Sequence, residues 1–409
     1  MNNPAMRFKR DDGTVFPDWS SSEIGNVADT CSGGTPSTSV SEYWDGPIQW
    51  LTPTEINSKY VHNSKRTITS AGIASSSAKL LPIGALLLTT RATIGACSIN
   101  NFDGDVSTNQ GFQSLICKSS LFNEYAYYAI TRDKFQKELI KHSSGSTFLE
   151  ISSKNLKKLP IPIPCLEEQQ KIASFFSTLD QKIEINERKL EALEKLKKGL
   201  MQKVFSQEIR FRTNEGCYFP EWETKHLSEI VESISYGLNA AAVKFDGKNR
   251  YLRITDINER TNKYNSINPV SPSCTADKKY LLKEGDIVFA RTGNSVGKTY
   301  IYEKSDGDLY YAGFLIRARV NNNICPYFIF IQTLTNKYKK WVDIMSKRSG
   351  QPGINSEEYG NLEVVLPCRE EQELIASLFT KFDSKIDKVI TKINHLKKLK
   401  QGFMQQMFV

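Results

Sequence analysis

Residues 6–22, MRFKRDDGTVFPDWSSS, return as residues 209–225, IRFRTNEGCYFPEWETK. Phe16-Pro17-Asp18-Trp19 becomes Phe219-Pro220-Glu221-Trp222, an offset of 203 (16 to 219). At the far end of each copy, Pro164-Cys165-Leu166-Glu167-Glu168-Gln169 becomes Pro367-Cys368-Arg369-Glu370-Glu371-Gln372 at the same offset. The chain is therefore one unit written twice, and each copy reads as a β-rich globular part followed by a long helix.

The helices carry the strongest periodic signal. Apolar residues fall at Ile172, Phe176, Leu179, Ile183, Leu190, Leu193, Leu200 and Val204. The spacing alternates four and three once Asn186 and Lys197 are counted. In the second copy the seam is Ile375, Phe379, Phe382, Ile386, Val389, Ile393, Leu396, Phe403 and Met407, with Lys400 matching Lys197. Such spacing predicts a coiled-coil seam over about 166–206 and 369–408, a rod of roughly 50 Å. Two such helices in one chain are expected to pair antiparallel. Asn186, matched by apolar Val389, is a candidate register-setting residue, or is simply solvated.

Within the first globular part, strand-like runs include Ile48–Leu51, Ala85–Leu88 and Gln113–Ile116. A shorter helix is expected at 122–141, with its counterpart at 326–345. The run Leu159-Pro160-Ile161-Pro162-Ile163-Pro164 reads as extended, because each proline pushes its predecessor out of the α region. Gly84 matches Gly285, and Gly111-Phe112 matches Gly313-Phe314. The expected fold class is α+β with a pseudo-twofold internal repeat. Its parts are a first module at 1–164, a helix at 165–207, a second module at 208–367 and a helix at 368–409.

A chain of 409 residues, 39% hydrophobic and 24% charged, fits two or three ordinary domains. The excess of 54 basic over 45 acidic residues gives +9, which permits a nucleic-acid partner without requiring one. No apolar run is long enough to span a membrane, and the polar start does not read as a secretory signal. The eight cysteines stand singly and the four histidines are scattered, so no metal site is expected. The scatter fits a reducing cytoplasm. Cys165 and Cys368 occupy matching places and read as small buried residues at a strand-to-helix corner.

Gly293-Asn294-Ser295-Val296-Gly297-Lys298-Thr299 looks like a phosphate-binding loop but has three residues, not four, before its Gly-Lys. The following Thr299–Tyr302 reads as strand where that loop requires a helix, so nucleotide binding is rejected. The sequence carries no amino-methyltransferase tetrapeptide, dinucleotide fingerprint, nucleophile elbow or HExxH. The chain reads as a binder without a catalytic centre. A duplicated unit suits a target with two similar halves, of which duplex DNA leads.

In order and in duplicate, these motifs resemble the specificity subunits of type I restriction-modification enzymes. The likeness rests on Phe-Pro-Asp/Glu-Trp, on Cys31-Ser32-Gly33-Gly34-Thr35-Pro36-Ser37, on Thr90-Arg91 with Ile94-Gly95, on Ala290–Gly293, and on Pro-Cys-x-Glu-Glu-Gln. The second module departs from it, having Ser235-Tyr236-Gly237-Leu238-Asn239 in place of Gly-Gly-Thr-Pro. The resemblance implies that each module is a target recognition domain reading one half of a split site in double-stranded DNA. It implies that the paired helices dock two methyltransferase (M) subunits, and that restriction (R) subunits join them. S-adenosylmethionine, ATP and Mg2+ would then be used on those other subunits, with no cofactor on this chain.

Base edges call for Arg, Lys, Asn, Gln, Ser or Thr at loop tips. The candidates are Thr35, Ser37, Thr89, Thr90, Arg91 and Thr93 in the first module, and Asn239, Arg291, Thr292, Asn294, Ser295 and Lys298 in the second. Lys65, Arg66, Lys79, Arg253 and Lys278 are candidate phosphate partners. Arg91 and Arg291 are read as equivalent. Phe176, Leu179, Ile183, Leu190, Leu193, Phe379, Phe382, Ile386, Ile393 and Leu396 are the expected coiled-coil and M-subunit interface. A coiled-coil adaptor that binds proteins and no DNA is the alternative function.

Overall fold

The computed structural model describes residues 3–91, 93–145, 149–347 and 350–408. It divides into a first unit, Met1–Arg188 with Thr391–Val409, and a second unit, Lys189–Ile390. Each long helix, Leu166–Phe205 and Arg369–Met407, contributes one segment to each unit.

The main sheet of the first unit has four antiparallel strands in the order Ala28–Ser32, Phe112–Cys117, Leu86–Thr89, Cys97–Ile99. The second unit repeats this order with Val231–Tyr236, Leu315–Val320, Ile287–Ala290 and Thr299–Ile301. The central strands are buried on both faces, which is why Leu86-Leu87-Leu88 and Ile287-Val288-Phe289 read as continuous apolar runs. Beside each main sheet lies a parallel pair, Trp44–Leu51 with Val106–Thr108 in one unit and Arg250–Leu252 with Leu309–Tyr311 in the other. The proline run forms the strand Pro160–Ile163, paired antiparallel with Ser20–Glu23; Glu363–Leu366 pairs likewise with Glu223–His226.

The single shorter helix expected in each module is two. Asn123–Thr131 and Asp133–Lys141 are broken at Arg132, whose ψ of 148° is extended. Pro326–Gln332 and Asn336–Met345 are broken at 333–335, where the Thr335 hydroxyl accepts from the Tyr338 amide as a helix cap. No glycine or proline marks either break, so the periodicity alone reads through it.

The duplicated motifs turn out to be one joint. In the first unit the indole Nε1 of Trp19 donates to Glu168 at 2.9 Å, and Arg7 grips the same carboxylate through Nε at 3.0 Å and Nη2 at 2.8 Å. In the second unit Trp222 donates to Glu371 at 2.9 Å and Arg210 at 3.2 Å. Both carboxylates are fully buried. The hydrogen bonds to Glu168 and Glu371 hold the Arg7 and Arg210 guanidiniums above their ordinary pKa. The glutamine that follows ties down the neighbouring helix pair: Gln169 Oε1 accepts from the Phe122 amide at 2.8 Å, and Gln372 Oε1 from the Cys325 amide at 2.9 Å. Cys165 and Cys368, expected to be buried, are half-buried.

Within each unit the helix segments run antiparallel. In the first, Phe175 meets Phe403 and Phe176 meets Phe408, with ring centroids 5.1 and 6.0 Å apart. The seam lysines are explained by acids on the opposing segment. Lys400 reaches Asp180 at 2.6 Å, and Lys197 reaches Asp383 at 2.5 Å. Each acid also accepts from a tyrosine of the short helices, Tyr128 on Asp180 and Tyr327 on Asp383. Asn186 is buried, and its amide donates to Lys182 O of its own helix at 2.6 Å. Of the expected interface residues, Leu193 and Phe382 are half-buried and the others are buried within the chain.

Candidate nucleic-acid interface

At one end of each main sheet four loops are drawn together by backbone hydrogen bonds. In the first unit Gly34 N donates to Thr108 O at 2.8 Å, Thr90 N to Gly111 O at 2.8 Å, and Ile151 N to Thr90 O at 3.1 Å. In the second, Leu238 N donates to Tyr311 O at 2.8 Å, Arg291 N to Phe314 O at 3.1 Å, and Ile354 N to Arg291 O at 2.9 Å. The loops are thus equivalent pair by pair, on a rigid sheet that presents them.

These bonds change one equivalence. Thr90, not Arg91, occupies the place of Arg291, and Arg91 occupies that of Thr292: Arg91 bridges Glu150 as Thr292 bridges Gly353. Likewise Thr89 faces Phe112 where Ala290 faces Leu315, so Phe314 matches Gly111 rather than Phe112. In an extended chain a shift of one residue exchanges the two faces. Arg91 and Arg291 therefore stand on opposite faces; at the shared position Thr90 is buried, with its hydroxyl turned to Gly111 O, and the longer Arg291 is half-exposed.

The two arginines also differ in company. Arg91 lies 3.5 Å from the carboxylate of Glu150. The Arg291 guanidinium sits over the ring of Tyr236, 4.7 Å from its centroid, and its Nε has no hydrogen-bond partner. That Nε is buried, so a bidentate contact would fall to the two terminal nitrogens, with stacking holding the fork in place.

The departure at Ser235–Asn239 proves superficial. Gly33 packs so tightly that a Cβ would stand 2.0 Å from Asn109 O and 2.3 Å from Thr108 O. Gly237 meets Ala312 O at 2.2 Å and Tyr311 O at 2.4 Å in the same way. The next carbonyl is caught by an aromatic of the parallel pair, Trp50 Nε1 on Gly34 O at 2.9 Å and Tyr251 Oη on Leu238 O at 2.6 Å. One loop therefore stands on two sequences, and it ends in exposed Thr35 or exposed Asn239. The Thr35 hydroxyl donates to Gln110 Oε1 at 2.5 Å.

The remaining candidates are spread more widely. Ser37 and Thr93 are exposed near the first loop cluster, and Ala92 between Arg91 and Thr93 lies outside the described residues. Lys65 and Arg66 belong to the edge of the smaller sheet, where the Arg66 guanidinium lies 3.5 Å over the Trp44 ring. Lys79 is exposed. Arg253 is gripped by Asp256 at 2.7 and 2.9 Å, and Lys298 Nζ donates to Ile257 O at 3.1 Å. Asn294, Ser295 and Lys298 line a cavity of about 740 Å³ together with Glu194 and Lys197 of the helix. The cluster also holds residues not singled out by sequence: Gln110, Gln113 (bonded to Ser32 at 2.8 Å), Tyr236, Phe314 and Gln351. Their only sequence signal is proximity to a glycine. Among the described residues no group of His, Cys, Asp or Glu could hold a metal, and no helix is long and apolar enough to cross a membrane.

Comparison with known proteins places this arrangement. The type I restriction modification DNA specificity domain matches twice, over residues 17–195 and 220–398. The type I restriction enzyme MjaIX specificity subunit of Methanocaldococcus jannaschii is 36% identical over 245 residues, covering 57% of this chain and 56% of that protein. The putative MjaX specificity subunit of the same organism is 31% identical over 210 residues, 50% and 49% of the two chains. The chain thus spans about half the length of these relatives. Among solved structures, the type I restriction-modification S subunit from M. genitalium has a like fold, with a TM-score of 0.65 at 17% identity, covering 100% of this chain and 99% of that one. A chain solved in work on assembly and conformational transition of the type I R-M system gives 0.57 at 17% identity, covering 96% and 98%. With both repeats matched over most of their length, the chain belongs to the type I restriction modification DNA specificity domain family.

Proposed function

We propose that this chain is the sequence-reading subunit of a type I restriction-modification complex. Each module reads one half of a bipartite, asymmetric DNA site. The chain itself carries out no chemistry. It directs adenine-N6 methylation by two M subunits using S-adenosylmethionine, and restriction by R subunits using ATP and Mg2+. The observation that carries this reading is the pair of equivalent loop clusters, built on the same backbone bonds but tipped with different side chains. Identical scaffolds with different tips are what two readers of different half-sites require. Thr35, Ser37, Arg91, Thr93 and Gln110 supply base or phosphate contacts in the first module. Asn239, Arg291, Thr292 and Gln351 do so in the second, and Lys65, Arg66 and Lys79 lie toward phosphates.

The M subunits dock on the outer faces of the paired helices, since most of the seam residues are buried within the chain. The test is methylome sequencing of the host with the gene present and deleted. A split N6-methyladenine motif that disappears with the gene is the expected result, and an unchanged methylome would overturn the reading.

A further inference from the structure

Single exposed apolar residues are ordinary on protein surfaces, so exposure alone carries little. Phe314 differs in where it stands. It is 64% exposed, and it is the only exposed phenylalanine among the described residues. Its backbone is fixed on both sides. Its carbonyl accepts from Arg291 N at 3.1 Å, Gly313 N donates to Leu238 O at 2.8 Å, and Gly237 N donates to Leu315 O at 3.1 Å. The residue is thus mounted rigidly between the Gly237–Asn239 loop and the strand end that bears Arg291.

The first module has no room for such a ring. Its structural counterpart is Gly111, where a Cβ would stand 2.7 Å from the Pro53 ring and 3.0 Å from Asn109 Oδ1. The two modules therefore differ in kind at this point, one closed by glycine and the other tipped by an aromatic side chain. Beside Phe314 stand Arg291, stacked on Tyr236, and exposed Asn239. Half-buried Glu358 also faces the Tyr236 ring, whose hydroxyl accepts from the Ser356 amide at 3.1 Å. An apolar ring next to a guanidinium held by stacking fits a DNA groove, where the cation meets a base edge or phosphate and the ring meets apolar base surface.

We propose that Phe314 is a specificity-determining contact of the second module, touching a base of the second half-site through its ring, with no counterpart in the first. This rests on the DNA-reading function proposed above. The ring adds nothing to the core, so its removal leaves stability unchanged, and any change in recognition comes from the lost contact. The experiment replaces the chromosomal gene by Phe314→Ala and Phe314→Leu, sequences the methylomes, and follows thermal unfolding of the purified full chains. The expected result for Phe314→Ala is a motif whose second half becomes degenerate, with sites matching the original motif methylated about tenfold less at both adenines, the sequence of the first half read as before, and an unchanged melting temperature. Phe314→Leu should recover part of the loss. An unaltered motif at wild-type methylation level would overturn the proposal. So would a loss of methylation with neither half of the motif made degenerate and stability intact, which would place a protein partner on this face. If deleting the gene leaves the methylome unchanged, the DNA-reading function itself fails, and that outcome is distinct from a Phe314 variant that merely reads as wild type.

Discussion

The indole nitrogen of Trp19 and the carboxylate of Glu168 are 149 residues apart in sequence and 2.9 Å apart in the fold, and Trp222 and Glu371 repeat the relationship across the same interval. The bond ties the start of each module to the first turn of its long helix. It explains why Phe-Pro-x-Trp and Glu-Glu-Gln recur together: they are two halves of one joint.

Glu168→Ala leaves Arg7 and the Trp19 indole without their shared acceptor. Breaking a buried ion pair from one side costs about 3–5 kcal/mol. Thermal or denaturant unfolding of the full chain should register that loss for Glu168→Ala, and a similar one for Glu371→Ala. A change under about 0.5 kcal/mol would mean the joint is dispensable.

Asp383→Ala strands two groups at once, the Lys197 ammonium and the Tyr327 hydroxyl. A cost of about 1–3 kcal/mol is expected for such unsatisfied, largely buried groups. The double variant Lys197→Met with Asp383→Leu should recover the part due to Lys197, because an apolar seam needs no ion pair, and leave the part due to the Tyr327 hydroxyl. Urea unfolding of the single and double variants checks this; a double variant worse than the single would contradict it.

Gly237→Ala drives a methyl group into the Tyr311 and Ala312 carbonyls, which cannot yield without moving the strand. The loop carrying Asn239 should shift, and the second half of the methylated motif should become degenerate while the first half is read as before. Gly33→Ala should do the reverse. Mapping methylated adenines for both variants decides it, and degeneracy in both halves of the motif would refute independent modules.

Arg291→Ala should relax discrimination at the second half-site by about 1–3 kcal/mol, the worth of a bidentate base contact. Arg91→Ala should affect the first half-site only, and by less, since Glu150 already partners Arg91. Binding to half-site variants at several salt concentrations distinguishes base from phosphate contact, because a lost phosphate contact weakens all sequences alike and lowers the salt slope.

The architecture was legible because its signals are long or doubled. A four-three seam over some 40 residues and motifs repeated at one offset leave little freedom in the reading. The loop cluster was legible only in outline. Arg91 and Arg291 look equivalent by their flanking residues, yet the pairing of Thr90 with Gly111 and of Arg291 with Phe314 sets them one residue apart. Register of this kind is fixed by strand partners far away in sequence, not by the local string. Gly237 was obscured for the opposite reason: its neighbours changed, while the close approach that demands glycine did not. The helix break at Arg132 carries no proline or glycine, and Gln110, Phe314 and Gln351 became candidates only once the fold had brought their loops together.

The central claim is that the chain holds two interchangeable scaffolds with separate readings. Its most direct test is a chain of residues 1–207 expressed with its methyltransferase. The segment that completes the first unit in the full chain includes Leu396, Lys400, Met404 and Phe408. The first repeat carries the same residue types at Leu193, Lys197, Met201 and Phe205. A second copy can therefore supply what the truncation removes, at some cost where two buried Asn186 side chains must be accommodated. A twofold dimer presents two identical readers in opposite orientations. Mapping the methylated adenines should then reveal a palindromic motif, with the first module's half-site on both sides of a fixed gap. A non-palindromic motif, or a monomer that still directs methylation, would contradict the account.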